Sequence, residues 1–562
     1  MGDRKLILDH VFDHETRRAG QVFLTQPVGN NQVVDYTWGQ VLAQARRMAA
    51  HLQGRGLPRG TKVAILSKNC AHFIIAELAN WLAGCTTVAI FPTETAETIR
   101  YVLQHSDASL LFVGKLDAWA QQKAGVPAGL PCIALPLAPD SALADHDRWD
   151  DIIGRTEPLA GRPQRRADEL AMLIYTSGST GTPKGVMVSF EAFSNAAEGI
   201  AADVRRRVGE GTESRVLSYL PLAHSFERSW IEGSALVDGG TRIYFAETLD
   251  TFLQDLQRAR PTLFISVPRL WLKFQQGVFA KMPPARLDRL LGIPILGRIV
   301  ARKVLKGLGL DCVLQAGSGS APLPAGLIRW YRRLGLRLFE GYGMTEDNSY
   351  SHTSNEQFSE PGYVGVPMPG VEVRLGESGE ILIKSPAQFS GYYKDPELTA
   401  QSFTADGFFH TGDLGERLPS GLLKITGRAK ELFKTAKGKY VAPSPIENLL
   451  NAHPLVEMSL VSGVGQSAAY AMVVLAEALR PRLVDPALRA DAQSQLEQLL
   501  ASVNQALADY EQLKMIVVLR EPWSIEAGTL TPTLKIRRGR IEAAVERRVD
   551  GWYAAGDRIL WA

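Results

Sequence analysis

The sequence contains little cysteine for its length. Four of its 562 residues are cysteines, at positions 70, 85, 132 and 312, with no Cys-x-x-Cys pair and no histidine at ligand spacing. Such scattered cysteines indicate neither a disulfide framework nor a zinc site. They fit a reduced protein, and we therefore expect a cytoplasmic location.

Charge of either sign is nearly balanced. Lysine and arginine total 62, and aspartate and glutamate total 59, which leaves a formal charge of +3. Spread over this length, the excess creates no overall field for nucleic acid, so any basic patch must be local. We therefore expect no nucleic-acid partner.

Long uninterrupted apolar runs are also absent. The longest candidate, residues 73–91, contains Glu77, Asn80 and Gly84 and changes from helical to strand-like spacing. A buried helix followed by a core strand explains this pattern better than a membrane span. The first residues show no apolar region of the kind found in signal peptides. The sequence therefore predicts no segment that crosses a bilayer.

Alternating strand and helix patterns fill most of the chain. Thr37 and Gln40 form a capping box before a helix, and strand-like and helical stretches then alternate up to residue 113. This alternation predicts a parallel sheet covered on both faces. It resumes beyond residue 185 as a second α/β layer, in which 312–315 is one candidate strand.

The pattern changes twice toward the C-terminus. From Gly362, short alternating strands spaced by glycine and proline predict a β-rich subdomain at about 362–427. Residues 429–562 mix strands with helical stretches and predict a small α+β domain. The expected fold class is α/β, with a large N-terminal domain, 1–428, made of two layers with parallel-type sheets plus the β-rich subdomain.

One stretch, Tyr175-Thr-Ser-Gly-Ser-Thr-Gly-Thr-Pro-Lys-Gly185, is rich in hydroxyls and glycine and lies between two apolar runs. Two strands joined by such a loop form a hairpin whose tip offers backbone N–H groups and the cation Lys184 to phosphates. It is not a Walker A loop, because Lys184 lies between Pro183 and Gly185 and a strand follows. A polar surface turn is the simpler alternative for such a cluster alone.

Two further strings carry groups suited to a nucleotide. In Gly341-Tyr-Gly-Met-Thr-Glu346, Tyr342 offers a face for a purine, Thr345 a hydroxyl for phosphate, and Glu346 a hard oxygen for Mg²⁺. In Thr411-Gly-Asp413, the carboxylate can accept both ribose hydroxyls. Taken alone, the first string is as well explained by a strand end with a surface glutamate, and the second by a turn.

Together and in this order, these strings resemble the motifs of the adenylate-forming superfamily of acyl-CoA synthetases, peptide-synthetase adenylation domains and luciferases. The resemblance covers nearly the whole chain and implies that ATP and CoA are substrates and that Mg²⁺ is a cofactor held at Glu346 and Thr176. It implies nucleotide-binding roles for the phosphate-loop residues Thr176, Ser177, Gly178, Ser179, Thr180, Gly181 and Lys184, the adenine-lining residues Gly319, Ser320, Ala321 and Pro322, and Gly341, Tyr342, Gly343, Asp413, Arg428 and Lys430.

The resemblance also implies a mobile C-terminal domain. Gly427-Arg-Ala-Lys430 resembles the junction between the superfamily's two domains, where Lys430 takes the hinge position and Arg428 reaches the ribose. Lys535, in Thr531-Pro-Thr-Leu-Lys535, matches the lysine that reaches from the small domain to the carboxylate and the α-phosphate. A lysine in such a loop is more often simply solvated. The catalytic residues implied are Lys535, Thr345, Glu346 and His224.

One segment separates the branches of the superfamily. Leu217-Ser-Tyr-Leu-Pro-Leu-Ala-His-Ser-Phe-Glu-Arg228 resembles the acyl-pocket segment of long-chain acyl-CoA synthetases. Amino-acid-activating relatives place an aspartate there to pair with the substrate ammonium, and this chain has none before Asp238. His224 is expected to line the acyl and pantetheine channel, with a packed structural histidine as the alternative.

The expected function is therefore that of a long-chain fatty acid–CoA ligase, which forms acyl-CoA, AMP and diphosphate through an acyl-adenylate. A fatty acyl-AMP ligase or an acyl-carrier-protein ligase shares the first step and stays an alternative. A non-enzymatic fatty-acid-binding or uptake protein is a third reading, but it predicts loss of Lys535 or Glu346, and both are present.

Two segments suggest contact with a membrane surface. Residues 291–306 mix isoleucines and leucines with arginines and lysines and resemble an interfacial helix. The C-terminal aromatic residues, in 552–561, offer a second lipid contact. Ordinary amphipathic packing is the favoured explanation of both. We expect at most transient, peripheral association with the inner face of a membrane.

Overall fold

The computed structural model describes residues 5–177, 182–209, 211–531 and 534–562, with only the backbone of Ser177. A large mixed sheet occupies the centre of the N-terminal domain. Its eight strands run in the order Gly391–Tyr392, Pro183–Ser189, Leu170–Ser177, Thr86–Ile90, Lys62–Leu66, Ala108–Val113, Cys132–Ala134 and Asp147–Arg148. The inner strands pair in parallel, which confirms the alternation predicted for the first layer.

The predicted hairpin is present at one side of this sheet. Leu170–Ser177 and Pro183–Ser189 pair antiparallel, with Thr176 opposite Lys184. This pair, together with Gly391–Tyr392, makes the sheet mixed rather than purely parallel. Residues 178–181, at the tip, lie outside the described residues.

Two smaller sheets make up the second layer. One runs in the order Ser214–Ser218, Thr241–Phe245, Val22–Pro27 and Val33–Thr37, and the other in the order Leu263–Ser266, Gln315–Ser318, Leu338–Tyr342, His352–Thr353 and Val366–Pro367. The strand predicted at 312–315 is wrong by three residues. Parallel pairing starts only where Gln315 meets Leu263, and Leu314 is 50% exposed. The true strand, Gln-Ala-Gly-Ser, carries little β-propensity of its own.

The β-rich subdomain is an antiparallel sheet of four strands in the order Glu372–Leu375, Glu380–Lys384, Phe409–Arg417 and Leu423–Arg428. Three of these strands are predicted from sequence. The fourth, Phe409–Arg417, contains the Thr411-Gly-Asp413 string, which is therefore part of a strand. Its register places Asp413 opposite Arg428.

The C-terminal domain is α+β, as predicted. Its sheet runs in the order Val456–Ser462, Ala469–Leu475, Leu513–Val518 and Ile559–Trp561, preceded by the short pair Phe433–Lys434 and Tyr440–Val441. Trp552 is buried and packs against Tyr470 with ring centroids 5.9 Å apart. The Tyr553 hydroxyl donates a hydrogen bond of 2.5 Å to the carbonyl of Ala468. Trp552 and Tyr553 therefore pack inward, in keeping with the favoured explanation of ordinary packing.

Helices cover the sheets. The described α-helices are Ile7–Arg17, Trp38–Gly54, Ala71–Leu82, Ala96–His105, Trp119–Gln122, Asp140–Asp145, Trp149–Arg155, Phe190–Val208, Ser225–Glu227, Ser234–Asp238, Phe252–Ala259, Pro268–Lys281, Pro284–Leu291, Leu296–Gly307, Ala325–Arg333, Pro396–Gln401, Pro443–Asn451, Pro486–Gln505 and Arg538–Ala555. The capping box at Thr37 and Gln40 is formed as predicted. Within the described ranges, none of these helices combines the length and hydropathy that a bilayer-spanning segment needs.

Candidate active site

Asp413 is held by two donors from different strands. The Tyr342 hydroxyl donates to its Oδ2 at 2.7 Å, and Nε of Arg428 donates to its Oδ1 at 2.7 Å. The carboxyl group is buried, so these two bonds fix its orientation while each oxygen keeps a lone pair for a ligand. Burial and the negative charge of Asp413 raise the pKa of Tyr342 well above its usual range. The structure thus brings together three of the predicted nucleotide residues.

The turn after Tyr342 leaves no room for a side chain at Gly343. A Cβ there would lie 2.7 Å from Cα of Ser349. The buried Asp347 fastens the turn by accepting the backbone N–H of Met344 at 2.9 Å. Burial raises the pKa of this carboxyl to about 7. A tight, internally bonded turn therefore presents the two residues that follow Met344.

Thr345 and Glu346 lie on that turn in different surroundings. Thr345 is buried, and its hydroxyl accepts a hydrogen bond of 3.3 Å from Ser225. Ser225 follows His224 directly, so this bond links the turn to the predicted acyl-pocket segment. Glu346 is half-buried, and its Oε1 accepts the Tyr392 hydroxyl at 2.8 Å.

Tyr392 connects Glu346 to the hairpin. Nζ of Lys184 lies 5.6 Å from the centroid of the Tyr392 ring, within the range of a cation–π contact. Since Thr176 faces Lys184 across the hairpin, Tyr392 links this part of the hairpin to Glu346. Tyr392 is missed by the sequence analysis. The Gly391-Tyr-Tyr-Lys-Asp-Pro396 string, with two adjacent tyrosines ahead of a helix start, is the signal that could have indicated it.

The segment predicted to line the adenine, residues 319–322, follows the strand Gln315–Ser318. The backbone N–H of Gly319 donates to the carbonyl of Ser266 at 3.2 Å, and a Cβ at Gly319 would lie 3.3 Å from the Phe226 ring. The buried Glu340 accepts the N–H of Leu323 at 3.3 Å, which anchors the far end of the segment. The residues between, Ser320, Ala321 and Pro322, are exposed.

Lys535 reaches this site from the C-terminal domain. Its loop is closed by the hydrogen bond from the Thr531 N–H to the Lys535 carbonyl, at 2.8 Å. The side chain is exposed to solvent, but neighbouring protein atoms displace part of the water around it. This desolvation lowers the pKa of Lys535. Arg428 lowers that pKa further, whereas the negative charges of Asp413 and Glu346 oppose the shift. The charges of the predicted nucleotide-binding residues therefore act on the Lys535 side chain.

His224 is the neutral member of the site. Its Nδ1 accepts the backbone N–H of Phe226 at 3.1 Å, so the proton of the neutral ring is on Nε2. Its ring centroid lies 6.4 Å from that of Phe91. Burial, together with the positive charge of Lys535, lowers the pKa of His224 to about 3. At neutral pH the imidazole carries no charge and offers one N–H donor.

The predicted acyl-pocket segment is held in place by hydrogen bonds between buried side chains and its backbone. The Asn69 amide donates to the carbonyl of Leu220 at 2.6 Å and accepts the N–H of Leu222 at 3.0 Å. Glu227 is turned back into the same network, where it accepts the N–H of Tyr219 at 3.1 Å. Burial raises the pKa of Glu227 to about 8. Oε1 of its carboxyl group is therefore engaged by the protein, whereas Oε2 is buried without a hydrogen-bond partner among the described residues.

A charged cluster is buried one turn further on. Arg228 is fully buried, and its Nη1 donates to Oε1 of the equally buried Glu77 at 2.9 Å. Glu232 lies 3.7 Å from Nε of Arg228, in a π-helical turn, Arg228–Gly233. Burial, reinforced by the charge of Glu77, raises the pKa of Glu232 well above its usual range. One arginine thus faces two buried carboxyl groups.

Two ion pairs meet at Glu457, where the domains touch. Arg269, at the start of helix Pro268–Lys281 of the large domain, donates to Oε1 of Glu457 in the C-terminal domain. Arg480, of the C-terminal domain itself, donates to Oε2 at 3.2 Å. The pair with Arg269 therefore joins the two domains in the arrangement that brings Lys535 to Asp413.

Some predicted residues are not part of these contacts. Lys430 is exposed in the short turn Ala429–Glu431, and no ion pair of its side chain is found within the described residues. Gly341 contributes only backbone pairing, opposite Thr353. The predicted residues Gly178, Ser179, Thr180 and Gly181 lie outside the described ranges, as does the side chain of Ser177.

The carboxylate of Glu346 suits a Mg²⁺ ion that is bound mainly by the phosphates of a nucleotide. Across the described ranges, no group of three or more histidine, cysteine or acidic side chains is placed to hold a metal. Glu346 has one oxygen engaged by Tyr392, and Oε2 accepts no hydrogen bond from any described residue. Mg²⁺ commonly takes one or two carboxylates and completes its shell with substrate phosphates and water. Glu346 suits such an ion, and Thr176, which pairs with Lys184 in the hairpin, offers a hydroxyl oxygen.

Comparison with known proteins gives a consistent identification. Residues 12–393 match the model of the AMP-binding enzyme family, and residues 431–557 match that of the AMP-binding enzyme C-terminal domain. The long-chain-fatty-acid–CoA ligase FadD15 of Mycobacterium bovis is 30% identical over 96% of this chain and 95% of its own length. Long-chain-fatty-acid–CoA ligase 1 of Homo sapiens is 28% identical over 88% of this chain and 78% of its own length.

The fold agrees with this identification. The adenylation and carrier didomain of a carboxylic acid reductase from Segniliparus rugosus, solved in complex with AMP, superposes with a TM-score of 0.81 and 22% identity, over 98% of this chain and 83% of that one. The family models together span most of the chain; Tyr342, Glu346 and Tyr392 lie in the first and Lys535 in the second, while Asp413 and Arg428 fall between them. The protein belongs to the AMP-binding enzyme family.

Proposed function

We propose that the protein is a long-chain fatty acid–CoA ligase, which converts a fatty carboxylate, ATP and CoA to acyl-CoA, AMP and diphosphate through an acyl-adenylate. Relatives with this printed name, at 30% and 28% identity, support the substrate class. The observation that carries the proposal is the position of Lys535, which the C-terminal domain brings within electrostatic reach of Asp413 and Glu346. A cation delivered between two anionic reactants is what adenylation requires.

In the first step the carboxylate oxygen attacks the α-phosphorus of ATP, and the bond to the pyrophosphate oxygen breaks in line. Asp413 accepts the ribose hydroxyls, and Tyr342 lies against the purine. Lys184 and the hydroxyl-rich loop, 176–181, hold the β- and γ-phosphates. Lys535 neutralises the charge that develops between carboxylate and α-phosphate, which is where a positioned cation lowers the barrier most.

We include Mg²⁺ in the proposal, with Glu346 and the Thr176 hydroxyl as the residues that would hold it. When bound, it would supply charge neutralisation for the phosphates of ATP. The free Oε2 of Glu346 supports this assignment, because Tyr392 occupies only the other oxygen. Tyr392 orients the carboxylate, and its ring contacts Lys184, so one side chain positions both groups that face the phosphates.

In the second step the CoA thiolate attacks the acyl carbon, and AMP leaves. We propose that the chain divides into domains 1–428 and 429–562 and that the second rotates about Lys430, which withdraws Lys535 from the site. The C-terminal family model starts at residue 431, directly after this hinge, which supports the division. His224, neutral and beside Phe91, lines the channel through which the acyl group and the pantetheine arm meet.

A fatty acid fits the pocket segment better than an amino acid. The carboxyl groups that could pair with a substrate ammonium already bond the protein through at least one oxygen, and burial raises the pKa of Glu227 to about 8, which disfavours the anionic form that an ammonium needs. Glu227 bonds the backbone of Tyr219, and Asp238 accepts the Thr241 hydroxyl at 3.0 Å and lies 3.2 Å from Arg205. The environment around His224 therefore favours an uncharged chain next to the reacting carboxyl group.

We place the enzyme in the cytoplasm, where it visits a membrane surface transiently. All four cysteines are free thiols, and three of them are buried, which is expected of a protein from a reducing compartment. Long-chain fatty acids partition into bilayers because each buried CH₂ contributes about 0.8 kcal/mol. An enzyme acting on them gains from peripheral contact with the membrane that holds them.

The decisive experiment measures diphosphate release with saturated acids of increasing chain length, each with CoA, with a phosphopantetheinyl carrier protein, or with no acceptor. We expect release to rise toward long chains and acyl-CoA to form only in the CoA arm. Acyl transfer to the carrier, or an adenylate that accumulates equally in every arm, would replace the proposal by one of the two alternative ligases. Absence of release with every carboxylate would end it.

A further inference from the structure

We propose that one surface of the large domain docks the protein on an anionic lipid bilayer. This surface, the basic–apolar face, consists of the exposed side of helix Leu296–Gly307 and the turn before it. Its members are Ile293, Ile295, Leu296, Arg298, Ile299, Arg302, Lys303 and Lys306, all of them exposed. The inference extends the proposed fatty-acid ligase by assigning where its membrane contact is made.

Helix geometry places an isoleucine in the middle of the charged side. At 100° per residue, Gly297, Ala301 and Leu305 share one stripe, and they are the residues that pack against the domain. Ile299 lies on the opposite side, with Arg302 and Lys303 at neighbouring angles. It is 58% exposed, so packing within the protein does not account for an isoleucine at this position.

The turn before the helix adds a second exposed isoleucine at an energetic cost. Ile295 is 74% exposed and has a φ of +67°, a region that β-branched residues seldom occupy. It therefore gains neither burial nor relaxed backbone geometry. Ile293 and Leu296, at 44% and 39% exposure, flank it. The face thus presents a contiguous apolar tip, of the kind that marks an interaction surface.

The tip is held firmly. Helix Leu296–Gly307 packs so closely on the preceding helix, Pro284–Leu291, that a Cβ at Gly297 would lie 2.5 Å from the Leu291 carbonyl oxygen. The Gly297 N–H donates to the carbonyl of Ile293 at 2.7 Å. The exposed isoleucines therefore belong to an internally bonded turn and are presented by the two packed helices.

The surrounding charge is of one sign. Between residues 281 and 307 there are seven lysines and arginines and one acid, Asp288, which pairs with Arg333. In the described part of the chain, no carboxylate lies within ion-pair distance of the four bases of the basic–apolar face. This excess is local in a chain of formal charge +3.

The combination of basic side chains and exposed isoleucines indicates an anionic bilayer as the partner. Anionic headgroups attract the unpaired bases, and the isoleucines enter the boundary between headgroups and acyl chains. Nucleic acid would use the bases but leave the isoleucines in water, and single strands are usually bound by stacking on aromatic residues as well. The face has no aromatic residue, so a bilayer is the better match.

The site and the basic–apolar face share one core. Ala301 and Leu305, on the buried stripe of the helix, belong to the same apolar cluster as Trp271. The Trp271 indole donates to the carbonyl of Gly317 at 3.3 Å, two residues before the adenine-lining Gly319. Docking through this face would therefore hold the catalytic domain itself at the membrane, without a separate anchoring module.

The test is flotation of the full-length protein with vesicles of phosphatidylcholine alone and of equal parts phosphatidylcholine and phosphatidylglycerol. Two variants probe the face, Arg302→Gln/Lys306→Gln for charge and Ile295→Ser/Ile299→Ser for the apolar tip. Lys424→Gln/Arg547→Gln, which removes the same charge from two other exposed positions, is the matched control. A medium-chain acid presented without vesicles reports the ligase reaction separately.

We expect wild type and control to float only with anionic vesicles, and each base removed from the face to lower partitioning about fivefold. The isoleucine variant should also lose flotation. Wild-type protein that does not float, or face variants that float like wild type, would overturn the inference whatever the ligase assay shows. Binding that depends on the bases but not on the isoleucines would overturn it too, because a polyanion such as RNA would then fit better. Ligase activity without vesicles should stay unchanged in both face variants, so failure of the proposed function is read independently.

Discussion

The Tyr392 hydroxyl donates a hydrogen bond of 2.8 Å to Oε1 of Glu346. Through this bond, a residue of the small strand Gly391–Tyr392 fixes a carboxylate on the turn after Tyr342, while its ring contacts the Lys184 ammonium. One tyrosine therefore controls the spacing between the cation and the carboxylate that are proposed to hold MgATP.

Replacing Tyr392 by phenylalanine should slow adenylation by about 10- to 100-fold, because a hydrogen bond to a charged group contributes about 1.5–3 kcal/mol. Tyr393 provides a matched control next in the chain, since its hydroxyl bonds Asp107 at 3.0 Å on the surface. Single-turnover diphosphate release measures both variants. Equal rates for Tyr392→Phe and Tyr393→Phe would contradict a positioning role for Tyr392.

Lys535→Ala should reduce the rate of acyl-adenylate formation by about 10² to 10³, by analogy with removal of other preorganised charge stabilisers. Thioester formation from synthetic acyl-adenylate and CoA should change little, because Lys535 is proposed to have left the site by then. Arg547→Ala, an exposed cation of the same domain, serves as the control. A variant that loses both half-reactions equally would indicate a structural defect.

Adenylation should weaken on the alkaline side at a lower pH than an ordinary lysine would cause. The pKa of Lys535 is lowered by desolvation and by Arg428, so its neutral form appears before the usual 10.5 is reached as pH rises. The cation is the active form, and the rate therefore falls through this lowered pKa. Lys535→Arg stays protonated and should move the fall to higher pH. A pH–rate profile of single-turnover diphosphate release checks the shift, and identical profiles for the two proteins would contradict it.

The ion pair between Arg269 and Glu457 should favour the adenylation arrangement. Glu457→Gln removes the charge on the C-terminal side, and we expect adenylation to slow by up to about fivefold, in keeping with a partly exposed pair. Thioester formation should be unchanged or faster. Arg480→Gln, which leaves the pair between domains in place, is the control. If both variants slowed the two half-reactions alike, the pair would not act on domain arrangement.

Arg228→Met should lower the free energy of unfolding of the large domain by about 3–5 kcal/mol, because it leaves the buried Glu77 without its ion-pair partner. The exposed pair of Arg333 with Asp288 offers a control, and Arg333→Met should cost far less. Urea titration followed by tryptophan fluorescence compares the two. A small loss at Arg228 would mean that Glu77 takes up a proton and tolerates its removal.

Local signals could be predicted well from the sequence, and long-range pairings could not. The capping box at Thr37 depends on residues three apart and is formed as expected. The hairpin that pairs Thr176 with Lys184 needed only two apolar runs and a loop. Tyr392, by contrast, is 46 residues from its partner Glu346, and Arg269 is 188 from Glu457. Such contacts depend on how sheets and domains are placed relative to one another, and residue spacing in the sequence does not predict that placement.

Within the site, the sequence indicated residue types better than their bonding. Asp413 was expected at the ribose from a short string that alone predicts a turn. The structure adds that it belongs to a strand and that register sets Arg428 opposite it. The exposed isoleucines of 293–299 were attributed to ordinary packing, because periodicity cannot say whether a second apolar surface exists to cover them.

The pairing of Asp413 with Arg428 also bears on the proposed hinge at Lys430. Arg428 is the last residue of its strand, and the turn Ala429–Glu431 follows at once. A rotation about Lys430 would therefore leave Asp413 and Arg428, which are proposed to bind the ribose, in place on the large domain while the C-terminal domain moves. AMP would then stay bound to the large domain while the C-terminal domain rotates. Its release would depend on Asp413 and Arg428 and not on the rotation.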